Sequence, residues 1–260
     1  LTGDGGDELF FGYERFWSIA KNIKIQSYPY PLKYIRYLYD KIFYGNSNIN
    51  GVSLFNRQCD AHFDLHCRFK EEMVNKIFPY LKDVEYPFEN NNYDYPNTKN
   101  EMELIQYMRH AEFYGMMQKT LRKVDQASMA NSLELRVPFL KKSFIEASFK
   151  IDPYLNYGPN EAKVSKKKIL LKKIFNNMIP SVQFDEIKRG FSIPLSSWLR
   201  HELFNLFQNA IIEKSSINHF DIEKKELTKI IENHKNKDID HKWPIFTIFA
   251  LFNWRNNQKA

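Results

Sequence analysis

A chain of 260 residues with 43% hydrophobic and 27% charged residues carries enough apolar surface for a packed interior, which excludes a disordered tail and allows one large domain or two modest ones. The net charge of +7 and pI of about 9.1 admit an anionic partner, but the lysines are spread over predicted helical faces, so nucleotide or phosphate fits as well as nucleic acid. The longest apolar run, WPIFTIFALFNW, is 12 residues, too short to span a bilayer; no secretory apolar region opens the chain, and its two cysteines read as reduced thiols of the cytosol.

With 9 glycines and 11 prolines the sequence offers few tight β-turns and reads as mainly helical. The opening stretch LTGDGGDELFFGYERFW sets Gly3, Gly5 and Gly6 among Asp4, Asp7 and Glu8. A helix then runs from Glu8 to about Lys21 with Leu9, Phe10, Tyr13, Phe16 and Trp17 on one face. In YPYPLKYIRYLYDKIFYG two prolines precede an amphipathic helix in which Leu32, Ile35, Leu38 and Ile42 recur every three or four residues, ending at Gly45. Residues 46–82 hold two more short helices, and EYPFENNNYDYPN is a loop by its Asn and Pro content. Thr98 and Glu101 match a capping box ahead of a helix that buries Leu104, Ile105, Met108 and Ala111 and runs to about Lys119.

In LRKVDQASMANSLELRVPFL that period breaks, and Leu133, Leu135 and Val137 alternate with Glu134 and Arg136 in an extended piece that stops at Pro138. Helices resume at Ser143. KVSKKKILLKKIFNNMIP is a basic amphipathic helix around Ile169, Leu170 and Ile174, whose lysines read first as a solvated face and second as a phosphate-directed one. KRGFSIPLSSWL follows as a loop, Ser196 or Ser197 caps a helix through Leu203, Leu206 and Phe207, and Asp221 caps another. The last helix starts at Trp243 and Pro244 and is apolar all round, the pattern of a buried helix.

The chemistry sits in the glycine turn. Gly3, Gly5 and Gly6 can turn consecutive amides inward, and the following helix adds its positive end, so an anion fits. Walker A fails for want of a Lys-Ser or Lys-Thr pair, and Asp4 and Asp7 break the GxGxxG fingerprint. The two carboxylates would repel a bare phosphate, whereas Mg²⁺ with an ATP pyrophosphate satisfies glycines and acids together. A calcium loop would need alternating oxygen ligands that DGGDELFF lacks. The bland alternative is a helix cap, with Asp4 or Asp7 accepting amide hydrogen bonds. In CDAHFDLHC, Cys59, His62, His66 and Cys67 lack the paired spacing of a zinc site and read as a half-buried helix with reduced thiols.

Three stretches, TGDGGDELFFGY, KVDQASMANSLELRVPFL and KRGFSIPLSSWLR, resemble in order the motifs SG(E/D)GxDELFGGY, KVDRASMAHSLEVRVPFLD and KxGFxxPxxxWLR of the glutamine-hydrolysing asparagine synthetase family. The resemblance runs nearly end to end, more weakly between about 20 and 100. It implies a mainly α-helical fragment, residues 1–260 as a single domain, forming the C-terminal part of an α/β synthetase domain of the adenine-nucleotide α-hydrolase-like (PP-loop ATPase) kind. It also implies that ATP activates aspartate as β-aspartyl-AMP with release of pyrophosphate, and that ammonia drawn from glutamine attacks. By the same resemblance Asp4 and Lys188 are catalytic, Asp4 accepting a proton from ammonia and Lys188 neutralising pyrophosphate. Thr2, Gly3, Gly5, Gly6 and Lys188 bind ATP and pyrophosphate, Asp7 holds Mg²⁺, and Lys123, Asp125 and Tyr13 bind the substrate, with Ser128 in the same motif. Glu134 and Arg136 read as a structural pair.

The chain departs from the family at Thr2 (usually Ser), Phe11 (Gly), Gln126 (Arg) and Lys141 (Asp). Relatives that amidate sugar carboxylates for surface polysaccharides leave that acceptor as an alternative. No SGGxDS pyrophosphate loop and no cysteine glutaminase occurs in the 260 residues, which open on Leu and not Met. The expectation is a cytoplasmic fragment, inactive alone, whose sheet, pyrophosphate loop and glutaminase domain lie upstream. Its partners are then ATP, aspartate or a sugar acid, and ammonia, with no nucleic acid and no membrane. Two other classes compete: a basic module binding nucleic acid through residues 163–173, and a non-catalytic helical scaffold.

Overall fold

The structure is a computed structural model and describes residues 1–20, 22–44, 51–84, 91–156, 168–180, 193–212 and 219–258. The helices are, in chain order, α1 (Gly6–Leu9), α2 (Glu14–Ala20), α3 (Tyr30–Tyr44), α4 (Gln58–Asp64), α5 (Glu71–Ile77), α6 (Glu101–Ala111) and α7 (Met117–Met129). They continue with α8 (Lys142–Lys150), α9 (Ile169–Met178), α10 (Leu195–Arg200), α11 (Phe204–Ile212), α12 (Lys224–Lys235) and α13 (Lys242–Asn257). Among the described residues there is no strand, in line with the helical reading. The chain packs as two compact units, one of Leu1–His66 with Phe88–Lys188 and one of Cys67–Pro87 with Arg189–Ala260.

In the first unit the helix expected from Glu8 to Lys21 is two helices. The Gly12 N–H turns back to the Asp7 carbonyl at 2.8 Å while Phe11 takes φ 56°, a left-handed cap that ends α1 after four residues. The predicted stripe of α6 is fully buried, and Leu104, Ile105 and Met108 pack against Phe11, Phe16 and Ile19. Its cap is not Thr98, however: the Asn100 side chain accepts the Met102 and Glu103 amides, and Thr98 turns to the Glu103 carboxylate. Nor does the helical path end near Lys119, because a π-helical turn, Glu112–Met116, carries α6 into α7. Arg109, fully buried, spans from α6 to the end of α8, donating to the Ser148 and Phe149 carbonyls at 3.0 Å each.

One predicted stripe faces elsewhere and a second is met in part. On α3 the residue held inward is Lys33, bonded to the Phe55 carbonyl and Asn56, while Leu32, Ile35, Leu38 and Ile42 are exposed. On α9 Leu170 packs on the core as expected, but the buried residue is Leu171, and Ile174 is exposed. Residues 133–137, expected as an extended piece, form neither helix nor strand; the Arg136 carbonyl accepts the Thr2 amide at 2.9 Å. Lys21, Gly45 and the side chain of Trp17 lie outside the described residues.

The second unit closes around Ile77, Leu195, Leu199, Phe207, Leu227, Ile230, Ile248 and Phe252. Pro194, not Ser196, precedes α10, and Ser196 donates to the Asp240 carboxylate at 2.6 Å. Glu223, not Asp221, stands immediately before α12, without a side-chain cap, and Asp221 is itself left-handed at φ 44°. The final helix buries one face only; Trp243, Phe246 and Trp254 are exposed. At the end of α12 the buried His234 accepts the His241 amide on Nδ1 at 3.1 Å. Burial, helped by the Arg200 charge, pulls its imidazole below the ordinary value of 6.5 against the opposing pull of Asp240, and burial lowers His241 likewise.

Because both histidines bind protons more readily when unfolded, their contribution is complete above about pH 6.5 and is lost as pH falls through the folded values. Each contributes a slope of up to about 1.4 kcal/mol per pH unit. Urea melts at pH 7.5 and 5.5 should therefore show the chain weaker in acid, with His234→Gln reducing the difference.

Candidate functional site

Three glycines open the chain, and each sits differently. Gly5 adopts φ 87°, and a β-carbon there would stand 2.9 Å from Leu140 Cδ2; one on Gly6 would meet the Phe139 ring at 3.3 Å. Both are buried on the segment that ends the second motif, whereas Gly3 is exposed with nothing within 4 Å of a β-carbon. The Gly6 amide is engaged inside the turn, donating to the Gly3 carbonyl at 3.2 Å. Thr2 donates its hydroxyl to the Asp4 carboxylate, so the two polar side chains at the mouth of the turn are joined.

Asp7 lies at the first turn of α1, with its Oδ1 3.0 Å from the Lys168 ammonium and both side chains about a quarter exposed. Lys168 immediately precedes α9 and takes φ 59°. Gly12 makes room for the pair, since a β-carbon there would lie 1.8 Å from Asp7 Oδ1 and 2.7 Å from Lys168 Cε. Lys168 belongs to the stretch whose lysines read first as a solvated face. Nothing in the sequence singles it out from Lys166, Lys167, Lys172 or Lys173; only the packing of α9 on Leu9 and Phe10 brings it to the turn.

Behind the turn Glu8 is buried at 2% exposure and accepts the Tyr13 hydroxyl. Burial pushes the Glu8 carboxyl up against the lowering effect of that hydrogen bond, and burial with the Glu8 charge pushes the Tyr13 phenol up. Tyr13, expected to bind substrate, thus has its hydroxyl engaged by Glu8. Lys123 and Asp125 are exposed on α7, and Lys123 shares an open helix face with Lys119, Arg122 and Gln126. Ser128 is buried and donates to the Asp125 carbonyl, closing the helix end. Glu134 and Arg136 form the expected pair at 2.7 Å, too exposed to contribute much. Lys188 lies outside the described residues. The turn therefore gathers Thr2, Gly3, Asp4 and Asp7, adds Lys168, and leaves Lys123 and Asp125 on α7.

A second polar cluster lies in the first unit. His62 and His66 do not face Cys59 or Cys67 but Glu112, at 2.8 and 2.9 Å, and Arg15 forks both oxygens of the same carboxylate. Burial alone would push the Glu112 carboxyl up, yet the hydrogen bonds from Arg15, His62 and His66 outweigh it and hold the carboxyl well below its usual range. Glu112, distant in sequence and carrying no motif, was not legible beside CDAHFDLHC.

Comparison with known proteins gives these residues a context. The family model described as asparagine synthase matches residues 1–256. The chain is 28% identical to asparagine synthetase (glutamine-hydrolyzing) 1 of Bacillus subtilis, over 98% of this chain and 40% of that protein. It is 23% identical to a Mycobacterium tuberculosis protein named "Putative asparagine synthetase (glutamine-hydrolyzing)", over 98% of this chain and 38% of that protein. The chain thus spans about two fifths of the length of these relatives. No solved structure matches it.

The glycine geometry predicts an unequal pair of substitutions. Gly12→Ala must displace Asp7 or Lys168 and should lower stability in urea melts by about 1–3 kcal/mol. Gly3→Ala enters open space and should change it by less than about 0.5 kcal/mol.

Proposed function

The chain belongs to the asparagine synthase family, and from that premise we propose that it forms the C-terminal, mainly helical part of a PP-loop ATPase-like synthetase domain in an ATP-dependent ligase. The reaction is activation of the aspartate side-chain carboxyl by ATP, with pyrophosphate leaving, followed by attack of ammonia drawn from glutamine by a glutaminase domain of the same polypeptide. The observation that carries this reading is the junction of two motifs far apart in sequence. The Thr2 amide bonds the Arg136 carbonyl, and Gly5 and Gly6 rest on Leu140 and Phe139, so TGDGGD and SLELRVPFL form one surface.

The chemistry of the donor set fits magnesium nucleotide. Two partly exposed carboxylates, Asp4 and Asp7, stand with an ammonium at a turn opened by glycine, and Mg²⁺ favours one or two carboxylates plus phosphate oxygens. Asp7 would hold the ion, which when bound offsets phosphate charge. Lys168, now paired with Asp7, is placed to turn its ammonium to a phosphate oxygen, a role the sequence reading gave to Lys188 alone. Thr2 and Gly3, at the open side of the turn, contact the nucleotide. Asp4, oriented by the Thr2 hydroxyl, accepts the proton of the attacking ammonia. Lys123 and Asp125 bind the acceptor carboxylate and amine from α7.

The test is ATP–pyrophosphate exchange in the whole polypeptide that carries this chain. Exchange should require aspartate, while residues 1–260 by themselves should show none. Asp4→Asn should lower amide formation by about 10²–10⁴-fold, and Asp7→Asn should raise the Mg²⁺ requirement. Unchanged turnover in both variants would remove the assignment, and exchange driven by a sugar acid in place of aspartate would move it to the other acceptor class.

A further inference from the structure

We infer that His62, His66 and Glu112 form a binding site for one divalent transition-metal ion of the zinc class. Residues four apart share a helical face, and here they do so across a helix end: His62 is in α4, and His66 sits on the turn after it, its amide bonded to the Phe63 carbonyl. The third donor comes from Glu112, the first residue of the π turn. The donor atoms of all three lie within 4.8 Å of one another, with both imidazole Nε2 atoms aimed at the same Oε1.

The donor set decides which ion. Two imidazoles and one carboxylate suit zinc and its neighbours, whereas Mg²⁺ and Ca²⁺ prefer oxygen throughout. Tetrahedral zinc with bonds of about 2.0–2.1 Å keeps its ligands roughly 3.3 Å apart. The observed 2.8 and 2.9 Å mean that an ion widens the triangle by about half an ångström. His66 is the member with room to move, since its side chain is 18% exposed while those of His62 and Glu112 are closed off, and its side is also the route of entry. Surrounding groups already orient the donors: Arg15 holds the carboxylate, and the Tyr93 ring packs edge-on against both imidazoles, its hydroxyl 3.2 Å from His66 Nε2. A water or that hydroxyl completes the coordination. The Arg15 charge opposes a dication, so this residue tunes affinity downward while holding the ligand in place.

The full chain, stripped with chelator, loaded with zinc and gel-filtered in excess Mg²⁺, should retain one equivalent by elemental analysis, and its thermal unfolding should rise. Co²⁺ in place of zinc should give the visible absorption of nitrogen and oxygen ligands without a thiolate band. His66→Asn should weaken retention tenfold or more while Cys67→Ser leaves it unchanged, and Arg15→Gln should tighten it. No retention by the unaltered chain, or equal retention in His66→Asn, would mean a hydrogen-bonded network only and overturn the proposal. Where a variant fails to fold, the Co²⁺ spectrum of the unaltered chain decides, a thiolate band or no band counting against the site.

Discussion

The carboxylate of Asp7 occupies the volume that a β-carbon on Gly12 would need, and that exclusion organises the opening of the chain. With Gly12 bare, its amide can reach the Asp7 carbonyl, α1 stops after one turn, and the Asp7 side chain stays beside Lys168. Gly5 does the same on the other side, letting the turn settle on Leu140. Two glycines thus fix where an acid, a base and a second motif meet, and the proposed chemistry rests on that meeting.

Phe11 stands where the motif that the opening stretch resembles has glycine, and the turn is kept. A left-handed residue at this position of a helix cap is usually glycine, and a phenylalanine there costs roughly 1 kcal/mol or more. The ring offsets this cost by being buried at 1% exposure, edge-on to Phe16 and under the Arg109 guanidinium. The Gly-to-Phe change noted in the sequence therefore exchanges backbone ease for core contact, and leaves Asp4 and Asp7 where the glycine turn puts them.

What was legible in the sequence were features set by neighbours along the chain. The α6 stripe and the short helices of 46–82 follow from local periodicity, and both are present. The cap of α6 was misplaced by two residues, at Thr98 instead of Asn100, because Thr and Asn compete closely for that place. The motif residues Thr2 to Asp7 were found by their pattern, but Lys168 and Glu112 have none. One is a lysine among lysines, the other an acid on a helix face, and each gains its position from tertiary packing alone. The exposed stripe of α3 marks the opposite failure, since amphipathicity tells which residues share a face and not what that face meets.

The π turn at Glu112–Met116 has a further consequence. It holds one residue more than a regular helix would use over the same rise, so the register of α7 differs by about 100° from what an uninterrupted α6 would impose. Shortening the chain by a residue here would heal the helix and yet swing every side chain beyond it, Lys123 and Asp125 included, around the axis. The direction in which Lys123 and Asp125 leave α7 is thus set by one extra residue in the turn before it.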